Sequence, residues 1–251
     1  MSKTTVKTKK ELELMKVSGK ICAQALKKVL ENVKPGVTCR QLDIIARQEI
    51  EKKGASPSFM TVDGYQHTIC TTINEQVVHG IPTGRKLEDG DILGIDIGAL
   101  YNGYHSDLAI SVPVGNVSKD KQEFLEAGKN TLKAALLAAK PGNHIGDISS
   151  VIQKGIEGAG YSIVKNLTGH GVGRQLHEEP MIPGFGKNGT GPKIQENMTL
   201  AIEVIYTQGS GEVGVEKDSW TISSTDGSLG GLFEQTVAIQ KSGPIVLTPY
   251  L

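Results

Sequence analysis

Aromatic side chains are scarce, at only 4% of the 251 residues, and charge of one sign does not prevail. Lys plus Arg and Asp plus Glu both number 27, so the formal net charge is zero. That balance lacks the basic footprint of a nucleic-acid-binding protein, and stable nucleic-acid binding is not expected. No run comes near the ~18 apolar residues of a membrane span, so no membrane segment is expected either. Cysteine is limited to Cys22, Cys39 and Cys70, an odd and widely spaced set. Such a set fits free thiols in a reducing compartment better than a disulfide framework. Met1-Ser2-Lys3-Thr4 runs into charged residues without the apolar core of a signal peptide, so a cytoplasmic location is expected. What is present reads as an ordinary globular protein, 38% hydrophobic and 22% charged, rich enough in glycine (31 residues) for many tight turns.

The chain repeats itself. Lys34-Pro35-Gly36 recurs as Lys140-Pro141-Gly142, an offset of 106 residues, and the same offset pairs Ile50-Glu51 with Ile156-Glu157 and Gly54 with Gly160. In the first copy Leu12, Met15, Ile21, Leu26 and Val29 form an apolar helical stripe ending near Pro35-Gly36, and a second helix runs from an N-cap at Thr38 to Gly54. The second copy predicts helices over Lys119–Lys140 and Asp147–Gly158. Strands follow each pair: Asp91–Gly98 and Tyr104–Val114 around the turn Tyr101-Asn102-Gly103, then Met198–Thr207, Trp220–Ser223 and Phe233–Gln240. Helices grouped before hairpin-rich strands predict an α+β fold, an antiparallel sheet covered by helices on one face. The expected organisation is one domain, 1–251, built from two similar halves at approximately 9–115 and 116–245.

Four acids interrupt apolar strands. Asp96 sits in Gly94-Ile95-Asp96-Ile97-Gly98 and Asp107 in His105-Ser106-Asp107-Leu108, across the predicted hairpin. Glu203 breaks Leu200-Ala201-Ile202-Glu203-Val204-Ile205, and Glu234 breaks Leu232-Phe233-Glu234-Gln235-Thr236. One acid in a strand is more often a solvent-facing residue than a ligand. Two per half, brought together in a core, would repel strongly unless cations neutralised them. Oxygen ligands with one or two imidazoles suit hard or borderline divalent ions. The imidazoles on offer are His170 and His177 in the glycine-dense segment Gly169 to Pro180, although spacing alone does not bring them to the acids.

At this point the chain resembles the type I methionine aminopeptidases, with their pseudo-two-fold "pita-bread" fold. The resemblance covers nearly its whole length. Its most specific stretches are Asn74-Glu75-Gln76-Val77-Val78-His79-Gly80-Ile81-Pro82 and Gly169 to Pro180. The resemblance implies a dinuclear site holding two divalent ions (Co, Mn, Fe or Zn) on Asp96, Asp107, His170, Glu203 and Glu234. It also implies hydrolysis by attack of a metal-bridging hydroxide, with His177 stabilising the oxyanion, Glu203 assisting proton transfer and His79 contacting the substrate near the scissile amide. It places Phe59, Tyr65, Cys70, Leu176 and Trp220 around the methionine side chain. The substrate so implied is the N-terminal Met of nascent polypeptides with a small second residue, cleaved by a monomer in transient proximity to the ribosome. Val204, Gln235, Leu167, Gly184 and Val62 depart from the usual family pattern without removing a ligand. Proline peptidases of the same fold are the nearest alternative, and a non-catalytic binding module the more distant one. The segment Val164–Gly169 lacks the extra histidine common in the former.

Overall fold

A computed structural model describes residues 5–250; Met1–Thr4, the leading residues of the signal-peptide reading, lie outside the described residues. Helix α1 (Lys9–Leu30) starts where Thr8 accepts from Glu11 N while Glu11 accepts from Thr8 N, and α2 (Cys39–Glu51) repeats the arrangement with Thr38 and Gln41. Helix α3 (Lys119–Ala138) is capped by Ser118. Helix α4 (Ile145–Gly158) begins two residues before the predicted Asp147, because that carboxylate accepts from His144 N at 2.7 Å and is the third residue of the helix rather than its start.

The described residues form thirteen strands, in chain order β1 (Ser56–Pro57), β2 (Ile69–Ile73), β3 (Gln76–Val78), β4 (Ile92–Tyr101), β5 (Tyr104–Pro113), β6 (Ser162–Ile163), β7 (Thr168–Gly171), β8 (Glu178–Pro183), β9 (Thr199–Thr207), β10 (Val213–Val215), β11 (Ile222–Ser224), β12 (Gly230–Gln240) and β13 (Gly243–Val246). The main sheet runs β1-β4-β5-β12-β9-β7-β8, antiparallel throughout, with β2 joined to β4, β6 to β9 and β13 to β12. A small sheet orders β10-β11-β3. Trp220, predicted as the start of a strand, lies in a turn instead. Asp218 Oδ1 accepts from the backbone N–H groups of Trp220 and Thr221 and holds them out of the ladder, so β11 begins at Ile222.

The strands alternate, and this decides which face carries chemistry. Leu93, Ile95, Ile97 and Ala99 of β4 pack with Leu26, Val29 and Leu42 of α1 and α2. Leu200, Ile202, Val204 and Tyr206 of β9, with Phe233 and Val237 of β12, pack with Phe124, Leu132 and Ile152 of α3 and α4. Ala109 of β5, Ile205 of β9 and Leu232 of β12 turn the other way and cluster with Val77, Val78 and Val164, none of them in a helix.

Positions paired by the 106-residue offset share local geometry. Gly36 and Gly142 both take φ near +90° (89° and 92°) and donate their N–H to Leu87 O and Ile194 O, while Gly54 and Gly160 end the helix pairs at φ 72° and 85°. Isolated bridges link Thr38 to Lys86 and His144 to Lys193 in corresponding places.

Candidate metal centre and substrate cavity

Each of five neighbouring strands contributes one candidate ligand. In sheet order β4, β5, β12, β9 and β7 carry Asp96, Asp107, Glu234, Glu203 and His170. Register draws them into a row: Asp107 sits opposite Gly98, two residues from Asp96, and Glu234 lies directly opposite Glu203. Glu234 also opposes Ala109, and His170 opposes Ala201. The four acids alternate with strand neighbours that pack on the helices and so point to the opposite face. Gly169 keeps β7 tight against β9, since a Cβ there would lie 2.7 Å from Ala201 O and 3.3 Å from Glu203 Cγ.

Donor atoms of Asp107, His170 and Glu234 all lie within 4.8 Å of one another, and His170 Nε2 is 3.8 Å from Asp107 Oδ2. Asp107, His170 and Glu234 are buried, while Asp96 and Glu203 keep part of their surface open to the cavity. Burial first, then the neighbouring carboxylates Glu234 and Asp96, pushes the Asp107 carboxyl well above the usual range. Burial with repulsion from Asp96 and Asp107 raises Glu203, and burial with repulsion from Glu203 and Asp96 raises Glu234. Asp96 is pushed up by burial to about 7. Burial, with His177 nearby, lowers His170 to about 4, so its imidazole is neutral at pH 7. Its Nδ1 lies 2.9 Å from Gly171 O and donates there in the tautomer that leaves Nε2 free as a ligand.

The donor set fits divalent cations. Among the described residues Asp96 Oδ1 and Glu234 Oε1 are buried without a hydrogen-bond partner, an expensive arrangement that a cation relieves. Asp107 Oδ1, by contrast, accepts from Leu108 N at 3.0 Å, and Thr236 Oγ1 brackets the Asp107 backbone by accepting from its N–H and donating to its carbonyl.

Above the acids lies a cavity of about 340 Å³. Phe59, Tyr65, Cys70 and Leu176 form one apolar cluster with Val62, Ile81 and Trp220 packed against it, so the five apolar positions implied by the resemblance stand together. Tyr65 and Trp220 meet edge to face at 5.0 Å. His79 and His177 line the same cavity and are exposed to it. The protein packed around the recess lowers both pKa values, and His177 lowers that of His79 further. The His177 ring stands against His170 at 4.5 Å between centroids. Met181 and Ile205 also line the cavity and escaped the sequence reading. Ile205 could have been found, since it lies two residues beyond Glu203 on the same strand face. Two departures from the family pattern point elsewhere: Val204 packs on the helical side, and Gln235 donates to Thr248 O at 3.0 Å.

A row of carboxylates and an imidazole beneath an apolar cavity, on this fold, defines the metallopeptidase class. The model of metallopeptidase family M24 matches residues 13–241, and the chain belongs to that family. It is 43% identical to methionine aminopeptidase 1 of Bacillus subtilis, covering 96% of this chain and 98% of that relative. It is 40% identical to the methionine aminopeptidase of Aquifex aeolicus, with 96% and 97% covered. The crystal structure of the Thermotoga maritima methionine aminopeptidase superposes with a TM-score of 0.96 at 37% identity, covering 98% and 99% of the two chains. Prolidase from Pyrococcus furiosus gives a TM-score of 0.79 at 26% identity, over 98% of this chain but 66% of that one. The architecture is thus the pita-bread fold that these peptidases share.

Proposed function

We propose that this chain is a metal-dependent methionyl aminopeptidase that removes the initiator methionine from nascent chains. The observation carrying this reading is the row of five donors on adjacent strands, two of whose oxygens have no partner among the described residues, beneath an apolar recess. The full-length similarity to methionine aminopeptidases supports the choice of substrate.

Asp96, Asp107, Glu234, Glu203 and His170 would hold two divalent ions, Co, Mn, Fe or Zn. Bound there, such ions lower the pKa of a coordinated water and polarise a carbonyl. The apolar cluster of Phe59, Tyr65, Cys70, Leu176 and Trp220 receives the thioether side chain and excludes water from it. His177, neutral at pH 7 and open to the cavity, donates from its ring N–H to the carbonyl oxygen as negative charge develops there. His79 contacts the substrate beside the scissile amide. The Glu203 carboxylate accepts the proton of the attacking water at a side-chain oxygen and passes it toward the leaving amine. By the resemblance to the family, a small second residue is preferred.

All five ligands and the recess come from one chain, so a monomer suffices. The three cysteines stay free and buried, in keeping with a cytoplasmic protein working near the ribosome as N-termini emerge.

The test is release of free methionine from Met-Ala-Ser by metal-stripped protein, with and without Mn²⁺ or Co²⁺. Ala-Pro peptides run alongside, with an Asp107→Ala control. Metal-dependent release that disappears in the variant is expected. Cleavage of Ala-Pro without methionine release would move the protein to the proline peptidases. Inactivity of folded, metal-loaded protein on every peptide would make it a binding module.

A further inference from the structure

Lys7, in the short segment ahead of α1, is only 5% exposed. Its Nζ donates to Glu178 Oε2 at 2.6 Å, and Glu178 is 6% exposed in turn. Thr5 Oγ1 bridges the pair, donating to Glu178 Oε2 and accepting from Lys7 Nζ. Lys7 N donates to Asn197 O at 2.9 Å, which pins the segment beside the start of β9.

The second carboxylate oxygen reaches into the loop that precedes it. Glu178 Oε1 accepts from Gln175 N at 3.2 Å. Gly173 N donates to Gln175 O at 3.0 Å, and Gly173 O accepts from His105 N at 2.7 Å. A Cβ on Gly173 would lie 2.5 Å from Lys7 Cε and 2.8 Å from Glu178 Oε1, so the loop closes directly over the ion pair. At its two ends the loop is fixed to the site. Gly171 opposes Glu178 in the β7–β8 ladder, and Gly171 O meets His170 Nδ1. His177 immediately precedes Glu178, with its ring against that of His170.

A buried ion pair is weak evidence of stabilisation, because desolvation offsets much of the attraction. Burial indeed holds the Lys7 ammonium below its ordinary value. The pair is better explained by what it orders. We propose that Lys7 is a positioning residue: through its ion pair with Glu178 it fixes the loop between Gly171 and Glu178, and thereby the His177 ring in the cavity. The part concerning catalysis rests on the aminopeptidase reading above; the part concerning loop order does not.

Lys7→Met keeps an unbranched stem and removes the charge. In metal-free protein, Gln175 amide exchange should become at least ~10-fold faster, since its acceptor is no longer held in place. With Mn²⁺, kcat for methionine release should fall on the order of 10–100-fold, the scale of a small misplacement near the reacting bond. KM and Mn²⁺ affinity should stay close to those of the parent. Lys7→Arg, which retains a cation, should recover loop protection and most of kcat. Glu178→Gln can keep its single oxygen for Gln175 N only by turning its NH2 donor toward Lys7 Nζ, so it removes the acceptor for Lys7 and carries the same test if Lys7→Met does not fold. Parental kcat and parental Gln175 exchange in a folded variant would overturn the proposal. So would a lower melting temperature with kcat unchanged, which marks a merely structural pair. If the parent itself releases no methionine, the aminopeptidase reading fails, and the exchange rates alone then decide whether Lys7 orders the loop.

Discussion

Replacing Asp107 by asparagine separates two effects that the cluster combines: repulsion among its carboxylates and attraction for cations. Asparagine is nearly isosteric and still offers an oxygen to Leu108 N, and the Thr236 hydroxyl contacts only the Asp107 backbone. The local hydrogen bonds therefore survive, while one charge leaves a site where Glu234 and Asp96 repel it. In chelator the variant should melt at or above the temperature of the parent. With cations the order should reverse. A ligand at 100 times its Kd stabilises the native state by about 2.7 kcal/mol. For a chain of this size each kcal/mol shifts the midpoint by about 2–4 °C, so Mn²⁺ should raise the melting temperature of the parent by about 5–11 °C. Losing a carboxylate shared by the cluster should abolish most of that rise. Differential scanning calorimetry of both proteins, in chelator and in excess Mn²⁺, makes the comparison. An equal metal-induced shift in both proteins, or none in the parent, would refute the assignment of these acids to a cation site.

Leu176→Ala removes one wall of the apolar recess; KM for methionyl peptides should rise on the order of 10-fold with a smaller change in kcat, measured by steady-state kinetics. Gly98→Ala would put a Cβ 2.5 Å from Ser58 Cβ and 2.9 Å from Phe59 Cε1, so denaturant titration should show a loss of about 1–3 kcal/mol. The Glu11 carboxyl is held down to about 2 by the Thr8 N–H, with Tyr104 and Arg174 adding to it. Because its folded pKa lies below the unfolded one, this stabilisation is complete above about pH 4.5 and is lost as pH falls toward 2. The stability difference between the parent and Glu11→Gln should accordingly be constant from pH 7 to 5 and shrink below that, and a difference that grows on acidification would contradict it.

How much of this was legible in the sequence follows from the range of each interaction. The helix start at Thr38 was read because a cap and its partner lie three residues apart, and Thr8 with Glu11 carries the same local signal, which the reading missed. The start of α4 was misread for a local reason too, since His144 is an uncommon cap and the acid three residues later carries the more familiar signal. The acids stood out because strand alternation makes a carboxylate among apolar residues conspicuous. Which acid faces which was a matter of register, and register across β12 and β9 spans some thirty residues of chain. Least legible was the coupling of Lys7 to Glu178, 171 residues apart, since a lysine before a helix and a glutamate after a histidine look like surface residues. Their burial together is a property of the closed fold, in which the segment before α1 crosses beneath the β7–β8 loop. A cluster of like charges can thus be inferred from pattern. The residues that aim its neighbours become visible only when chain ends and loops have been brought together.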